Sequence, residues 1–155
     1  MGYLEFCSNC GENNRFGEKD GNKRYFCSQC STIHYENPKP TATLICMHQN
    51  QLLLVKRAVD PGKGMWGLPG GFIERGETPE MGAQRELLEE TNLQGSVSNF
   101  LGTCSHFNTV FGDILLMGME VQIEDWSSIK AGDDAEEAIL FPFDELPKLA
   151  FPCHE

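Results

Sequence analysis

Three glutamates in the middle of the chain, Glu86, Glu89 and Glu90, have a spacing that could hold a metal ion. On a helix Glu90 lies about 40° from Glu86 around the axis and Glu89 about 60° to the other side, so the three carboxylates share an arc of about 100°. Such carboxylates repel one another at neutral pH, and Arg85 is the basic residue within reach. Because Mg²⁺ and Mn²⁺ prefer oxygen ligands, this spacing predicts a site for a hard divalent cation.

A glycine-rich stretch directly precedes these glutamates. It contains the run Trp66-Gly-Leu-Pro-Gly-Gly, which ends at Gly71. Glycine allows the backbone to approach a phosphate closely, so we expect Gly71 to contact the substrate and the Gly70 carbonyl to add a metal ligand. The alternative for the glutamates alone is a solvated acidic helix. The added spacing of Gly71, Glu77 and Arg85 favours the metal site over that alternative.

A second metal site is predicted near the N-terminus from two Cys-x-x-Cys pairs. The pairs are Cys7 with Cys10 and Cys27 with Cys30, and sixteen residues separate them. This spacing is typical of a four-cysteine zinc site, whose closed shell indicates a structural role. A redox dithiol remains an alternative, and His34 could replace a cysteine ligand. The odd count of seven cysteines argues against a disulfide framework.

The elements that must position these residues follow from local patterns. Residues 41–47 and 51–56 are apolar and β-prone, which predicts a hairpin. Thr78 as N-cap and Pro79 at the first helical position predict a helix that runs to about Thr91 and stops at a left-handed Asn92. We expect one face of that helix to dock on the sheet through four residues, Met81, Ala83, Leu87 and Leu88.

The rest of the chain predicts further strands. Residues 97–104, 114–123 and 139–141 have strand patterns, 133–137 form an acidic loop, and 144–146 begin a helical turn. Trp66 is expected in the core. The order β-β-loop-α-β-β-β predicts a mixed sheet packed by helices. Residues 1–36 are too polar to fold without a metal, so the predicted domains are 1–36 and 37–155.

Charge and composition exclude several classes of protein. Twelve Lys and Arg against 23 Asp and Glu give a net charge of −11, which disfavours long nucleic acids as partners. No run of residues is long and apolar enough to span a membrane. Residues 1–5 show no secretory signal, so the expected location is the cytoplasm. A small phosphate ester remains a suitable ligand if a cation screens its charge.

The stretch from Gly71 to Leu93 resembles the Nudix box. The order is Gly, five residues, Glu, seven residues, then Arg85-Glu-Leu-Leu-Glu-Glu-Thr-Asn-Leu. One position departs from the pattern, since Asn92 stands where the family has glycine; asparagine tolerates the left-handed conformation that ends the helix. The resemblance implies an α/β (α+β) fold, a Nudix α/β/α sandwich with a mixed β-sheet, here preceded by a small zinc ribbon.

The same resemblance implies roles for the box residues. Glu86 and Glu90 would bind Mg²⁺ or Mn²⁺, Glu89 would be a further ligand or the base, and Arg85 and Glu77 would orient the cluster. Nudix enzymes hydrolyse nucleoside diphosphates linked to another moiety, by attack of water at phosphorus. Metal activation of water and neutralisation of the diphosphate charge agree with that chemistry.

The ribbon followed by residues 33–39 resembles the zinc-ribbon branch of this family, which includes NADH pyrophosphatases and enzymes that cleave FAD or ADP-ribose. The Ser-Gln-Pro-Trp-Pro-Phe-Pro-like segment of NADH pyrophosphatases is absent, so strict NADH preference is not expected. The ribbon could hold a homodimer together, as in those relatives. Relatives also tend to continue into a C-terminal helix, which leaves a shortened chain as an open alternative.

The remaining predictions concern residues on the substrate side of the site. Glu137 is the candidate acid or base in the acidic loop, which also contains Asp134 and Glu136. Arg57 could face the diphosphate, and Phe107 or Phe111 could stack on an adenine, with a surface or core position as the alternative. Two other functions stay open: hydrolysis of a nucleoside triphosphate or capped RNA, and a non-catalytic nucleotide-sensing or protein-binding module.

Overall fold

The computed structural model describes residues 4–154, which form two compact units divided between Asn37 and Pro38. The predictions that concern residues 1–3 and the chain end at 155 lie outside the described residues. Among the residues described, no helix is both long and apolar enough to cross a membrane.

The first unit is a small antiparallel sheet with three strands. They are β1 (Asn14–Lys19), β2 (Asn22–Cys27) and β3 (Ile33–His34), in the spatial order β1-β2-β3. A tight turn joins β1 to β2, and its two residues, Asp20 and Gly21, both have positive φ, as a two-residue hairpin turn requires. The two cysteine pairs lie outside this hairpin turn, at the other end of the unit.

The second unit contains two sheets and one α-helix. Its strands are β4 (Lys39–Ile45), β5 (Met47–His48), β6 (Gln51–Arg57), β7 (Trp66–Gly67), β8 (Ser96–Thr109), β9 (Gly112–Gln122) and β10 (Ala135–Pro142). One sheet has the order β4-β9-β8, with β4 parallel to β9 and β8 antiparallel to it. The other has the order β10-β6-β5, with β7 also paired to β6. The mixed sheet predicted from the element order is therefore observed.

The predicted hairpin over 41–47 and 51–56 is only partly right. The first run changes sheets at Cys46: β4 pairs with β9, and only the two residues of β5 pair with β6. The acidic loop is also shorter than predicted, because Ala135 begins β10 and strand pairing with β6 extends to Pro142. The segment 144–146 forms a turn and not a helix.

Helix α1 (Pro79–Thr91) has the predicted ends. The Thr78 hydroxyl accepts a hydrogen bond from the Met81 N–H, and Asn92 has φ 58° with its N–H donating to the Leu88 carbonyl. The predicted docking face needs correction, because Met81 is 52% exposed and Leu88 is 44% exposed. The helix instead buries Gly82, Ala83, Leu87, Glu90 and Thr91. Glu90 thus lies on the buried side, although its side chain is ionisable.

Two apolar cores support these sheets. The larger is formed by nine buried side chains: Ala42, Leu44, Cys46, Leu53, Ala83, Leu87, Leu93, Met119 and Val121. It packs α1 against β4, β8 and β10, and therefore fixes where the glutamates of the helix point. The smaller core contains Leu52, Leu54, Leu68 and Leu149, and the partly buried Trp66 packs against it.

Candidate active site and zinc site

A cavity of about 340 Å³ lies next to the glutamates of α1, within the second unit. The loop 70–74, strand β4, strand β9 and the segment 133–134 contribute to its wall, and so do Glu86 and Glu90. This volume is in the range of small-molecule sites in proteins. The predicted metal-binding carboxylates and the glycine loop therefore meet at one cavity.

Glu90 and Gly70 are joined directly. The Gly70 N–H donates to Glu90 Oε2 at 2.8 Å, and Glu90 is only 4% exposed. Gly70 has φ 138°, and a Cβ there would lie 2.1 Å from the Ala42 carbonyl oxygen. At Gly71 the close atom belongs to a side chain and not to the backbone, since a Cβ there would lie 2.5 Å from Glu86 Oε1. Both glycines are needed because backbone and carboxylates come too close for a side chain.

Burial makes the two cavity carboxylates difficult to ionise. Burial, together with the charges of Asp134 and Glu86, raises the pKa of Glu90 to about 8, although the hydrogen bond from Gly70 opposes this rise. Burial also raises the pKa of Glu86, although the contact with Arg85 opposes that change. A cation between these groups would offset both the desolvation and the mutual repulsion. The donor set consists of hard oxygen atoms and so fits a divalent cation of the Mg²⁺ or Mn²⁺ kind.

Arg85 connects the box residues behind the cavity wall. Its Nε and Nη2 donate to both carboxylate oxygens of Glu77, at 2.7 and 3.0 Å. Its Nη1 donates to Glu86 at 2.8 Å and to Glu89 at 3.0 Å, and Nη2 also donates to the Phe72 carbonyl at 2.8 Å. This pairing lowers the pKa of Glu77 to about 2, with the Arg85 hydrogen bonds as the largest cause.

Glu89 occupies a different environment from the other two glutamates. Its side chain is 44% exposed, and it lies outside the cavity wall. The structure therefore brings Glu86 and Glu90 into the cavity and leaves Glu89 at its edge. The carboxylate of Glu89 is therefore in contact with solvent, whereas that of Glu90 is not.

The acidic loop contributes residues other than the predicted one. Glu137 is paired across the strands with Lys56, whose Nζ lies 2.7 Å from Glu137 Oε1. Asp133 and Asp134 line the cavity instead, and the charge of Asp134 acts on both Glu86 and Glu90. A bulge between Ala135 and Glu137 sets this register, which a sequence pattern does not show.

Arg57 lies in the cavity wall. Its Nε donates to the Pro61 carbonyl at 2.6 Å, and its guanidinium lies 5.2 Å from the centroid of the Phe151 ring.

Of the two phenylalanines considered for stacking, Phe111 lines the cavity and packs edge-on against Phe72 at 5.5 Å. Phe107 is 63% exposed on β8, outside the cavity wall.

The chain end also contributes to the cavity, which the sequence did not indicate. Pro152–His154 form a 3₁₀ turn, and Cys153 and His154 line the wall together with His106. The Leu68 N–H donates to His154 Nδ1 at 3.3 Å, and the Cys153 Sγ lies 3.7 Å from His106 Nδ1. Glu74, from the loop after Gly71, is a further wall residue that the sequence reasoning missed.

The four paired cysteines form a separate cluster in the first unit. The ligand atoms of Cys7, Cys10, Cys27 and Cys30 all lie within 4.8 Å of one another. Two sulfur pairs are 3.6 and 3.5 Å apart, close to the ~3.8 Å edge of a tetrahedron with Zn–S bonds of about 2.3 Å. His34 is instead a β3 residue, paired with Tyr25 of β2. The geometry fits a closed, structural zinc site with four thiolate ligands.

The chain matches two protein-family models. Residues 38–154 match the family model described as NUDIX domain, and residues 5–36 match the zinc-ribbon model described as Nudix N-terminal. An ADP-ribose pyrophosphatase from Methanocaldococcus jannaschii is 39% identical over 125 residues, which cover 76% of this chain and 69% of that protein.

Two further relatives cover nearly the whole chain. The NAD-capped RNA hydrolase NudC of Pseudomonas aeruginosa is 27% identical over 93% of this chain, which spans only half of that protein. The crystal structure of a NUDIX hydrolase from Nitrosomonas europaea superimposes with a TM-score of 0.85 at 34% identity, covering 97% of this chain and 86% of that one. The Nudix fold and the N-terminal zinc ribbon predicted from the sequence are confirmed, and this chain belongs to the Nudix hydrolases.

Proposed function

We propose that this hydrolase uses Mg²⁺ or Mn²⁺ to cleave the diphosphate linkage of ADP-ribose or a closely related nucleoside diphosphate. The observation that carries the proposal is the pair of buried carboxylates, Glu86 and Glu90, facing one cavity beside the glycine loop. Burial raises the pKa of both groups. Such a pair is favourable in a folded protein when a cation binds between its members.

Glu86, Glu90 and the Gly70 carbonyl are the proposed ligands of that cation. When bound there, a divalent cation lowers the pKa of water and neutralises charge on a diphosphate. The hydrogen bond from the Gly70 N–H fixes one oxygen of Glu90, which leaves the other oxygen for the ligand role. Arg85 and Glu77 act as positioning residues, because Arg85 contacts both Glu86 and Glu89.

The reaction requires one group that accepts a proton from the attacking water and one cationic side chain that pairs with the diphosphate. Water forms a bond to one phosphorus, the bond from that phosphorus to the bridging oxygen breaks, and the bridging oxygen leaves with the other phosphate. We assign proton acceptance to a carboxylate oxygen of Glu89, which is in contact with solvent. Arg57, the arginine in the cavity wall, is the proposed partner of the diphosphate, with Gly71 allowing its close approach.

Asp134 is the proposed third acidic residue of the site. It lines the cavity and its charge acts on both Glu86 and Glu90. Glu137, the residue favoured by the sequence, would have to leave its contact with Lys56 to take part. We therefore assign to Asp134 the role first predicted for Glu137.

The choice of ADP-ribose follows from the apolar part of the cavity and from the relatives. Phe72, Phe111 and Phe151 lie in the wall, where an adenine ring could stack. Phe107 could stack only if the ligand extended beyond that wall. The relative that is 39% identical to this chain is an ADP-ribose pyrophosphatase. These observations favour a nucleoside diphosphate substrate with one base and one polar end.

A hydrolysis screen tests the proposal. ADP-ribose, FAD, NADH, nucleotide sugars and deoxynucleoside triphosphates are offered with Mg²⁺ or Mn²⁺, and the Glu89→Gln and Glu90→Gln variants serve as controls. We expect AMP and ribose 5-phosphate from ADP-ribose, with turnover greatly reduced in both variants. Absence of turnover on every compound, with the cation bound, would refute the proposal.

A second candidate is hydrolysis of NAD-capped RNA, and one observation favours it specifically. The match to NudC includes the zinc ribbon, since it covers 93% of this chain. The sequence-based expectation that long nucleic acids are excluded then holds only in part. Adding an NAD-capped oligoribonucleotide to the screen separates the two candidates by their relative kcat/KM.

A further inference from the structure

The charge of the chain is divided very unequally between its two units. Residues 1–37 carry four Lys and Arg against five Asp and Glu, whereas residues 38–155 carry eight against eighteen. The first unit is therefore nearly neutral in a chain of net charge −11. The arrangement of its charges, and not their sum, decides which ligands it can approach.

Strand register divides those charges between the two faces of the β1–β2 ribbon. Arg15 pairs with Phe26, Gly17 with Arg24, and Lys19 with Asn22. Because paired residues point to the same face and alternate residues share a face, Arg15, Lys19 and Arg24 lie together. The acidic residue of these two strands, Glu18, pairs with Lys23 on the opposite face. One face is thus free of acidic residues of β1 and β2 and carries three cations.

Aromatic rings alternate with these cations. Lys19 Nζ lies 4.5 Å from the centroid of the Phe26 ring, and the Arg24 guanidinium lies 4.7 Å from that of Tyr35. Tyr35 is 61% exposed. Arg24 Nε is buried and has no hydrogen-bond partner among residues 4–154, so this donor is unsatisfied. We name this surface, composed of Arg15, Lys19, Arg24, Phe26 and Tyr35, the ribbon basic face.

We propose that the ribbon basic face binds single-stranded RNA. Three cations on one face match the repeating phosphates of a polynucleotide, and the exposed ring of Tyr35 can stack on an unpaired base without sequence preference. A duplex offers no free base face for Tyr35, and an acidic peptide carries a ring only where its sequence supplies one, whereas every unpaired nucleotide carries a base. The face carries both features, which favours the single strand.

This inference goes beyond the proposed function, because it concerns the first unit and holds whether or not the second cleaves ADP-ribose. It bears on the second candidate function, since a capped RNA brings a polynucleotide as well as a dinucleotide cap. The surface acidity of residues 38–155 does not prevent such binding if the contact is confined to the ribbon basic face. Salt dependence of binding should then reflect only a few neutralised phosphates.

The test is fluorescence anisotropy of the full zinc-loaded chain with a labelled single-stranded oligouridylate of about twelve nucleotides. The triple variant Arg15→Gln, Lys19→Gln, Arg24→Gln removes the cations, and Lys23→Gln is the matched control on the opposite face. We expect the triple variant to weaken binding by at least about tenfold. The magnitude of its slope of log K against log salt concentration should fall by about 2, because each of the three lost phosphate contacts contributes about 0.7. Lys23→Gln should bind like the wild type.

Stacking is tested by Tyr35→Ala and Tyr35→Phe, of which only the first should weaken binding. Zinc content and ADP-ribose hydrolysis of the same preparations should not change, so a failure of RNA binding is distinct from a failure of the proposed hydrolysis. The proposal is overturned if the wild type shows no binding at about 50 mM salt. It is equally overturned if Lys23→Gln loses as much affinity as the triple variant, or if duplex RNA binds as tightly as the single strand.

Discussion

The guanidinium of Arg85 holds both carboxylate oxygens of Glu77, with Nε 2.7 Å from Oε1 and Nη2 3.0 Å from Oε2. The remaining donors of the same guanidinium reach Glu86, Glu89 and the Phe72 carbonyl. One side chain thus fixes the glutamates relative to the loop that follows Gly71.

Arg85→Lys should lower activity while the chain remains folded. An ammonium group cannot form the two parallel bonds to Glu77 and also contact Glu86 and Glu89. We expect kcat/KM for ADP-ribose to fall about 10- to 100-fold, as is typical when residues that orient metal ligands are changed. Steady-state kinetics over a range of Mn²⁺ concentrations should show that the variant binds the cation more weakly and needs more Mn²⁺ for half-maximal activity. The control is Arg75→Lys, which changes an exposed arginine; an equal effect there would contradict this role of Arg85.

Substitution of the two adjacent glycines should separate activity from stability. An added Cβ at Gly70 would meet the Ala42 backbone at 2.1 Å, whereas one at Gly71 would meet the Glu86 carboxylate at 2.5 Å. We expect Gly71→Ala to displace Glu86 and lower kcat about 100-fold, with a small change in Tm.

Gly70→Ala should destabilise the fold strongly, because backbone must move. Gly64→Ala is the matched control: its φ is also positive, at 77°, but nothing lies within 4 Å, so only the left-handed backbone cost of about 1–2 kcal/mol applies. Thermal unfolding and kinetics of the three variants provide the comparison. Equal loss of stability in Gly70→Ala and Gly64→Ala would contradict the close approach to Ala42.

Glu90→Gln should uncouple stability from divalent cations. The glutamine keeps the size of Glu90 and can still accept from the Gly70 N–H, but it removes a buried ionisable carboxyl group. Without added cation we expect the variant to be at least as stable as the wild type. With Mn²⁺ at about 100 times its Kd, the wild type should gain about 2.7 kcal/mol and the variant much less. A Tm increase with Mn²⁺ that is the same in both proteins would argue against cation binding by Glu90.

His154 should make the stability of the second unit depend on pH. Burial, followed by the charges of Arg57 and His106, lowers the pKa of His154 from its ordinary 6.5 to about 4. Between these two values the unfolded chain binds a proton on His154 that the folded chain does not. The stabilising contribution of the neutral, buried His154 is therefore complete above pH 6.5 and is lost as the pH falls towards 4. The loss amounts to at most about 3 kcal/mol.

The measurement is urea unfolding between pH 4 and 7 for the wild type and for His154→Gln. The free energy of unfolding of the wild type minus that of the variant should decrease as the pH falls across this window. Taking the difference cancels the contributions of other titrating groups, including the buried glutamates. A difference that is constant with pH would show that His154 is not buried in its neutral form.

Removal of zinc should unfold the first unit and leave the second folded. The ribbon has a small sheet and the Cys7, Cys10, Cys27 and Cys30 cluster, and a unit of this size depends on its metal for stability. After chelation, amide NMR signals of residues 4–37 should lose dispersion and those of 38–154 should persist. Cys27→Ser should reproduce this result without chelator. Retention of ribbon signals in metal-free protein would contradict the structural role of zinc.

Local chemistry explains what could be read from the sequence. The N-cap at Thr78, the left-handed stop at Asn92 and the helical spacing of Glu86 and Glu90 depend on residues within a few positions of each other. The zinc ribbon is equally local. Each of these features needs only short-range rules of turn and helix formation.

The remaining features depend on contacts between distant segments. The position of Asp134 at the cavity and of Glu137 beside Lys56 depends on the β6–β10 register and its bulge. The exposure of Met81 and Leu88 depends on which face of α1 meets β4. Neither sequence spacing nor residue type contains that information, because it arises only when the sheets assemble.

The parallel pairing of β4 with β9 has a consequence for the order in which the protein is made. Lys39 pairs with Ile114 and Ile45 with Glu120, so the central sheet of the second unit cannot close until β9 has left the ribosome. The ribbon needs no residue of that region, since its pairings end at His34. Contacts between near neighbours form first, and distant pairings form late. During synthesis the ribbon can therefore acquire zinc while the Glu86–Glu90 helix still has no sheet to pack against.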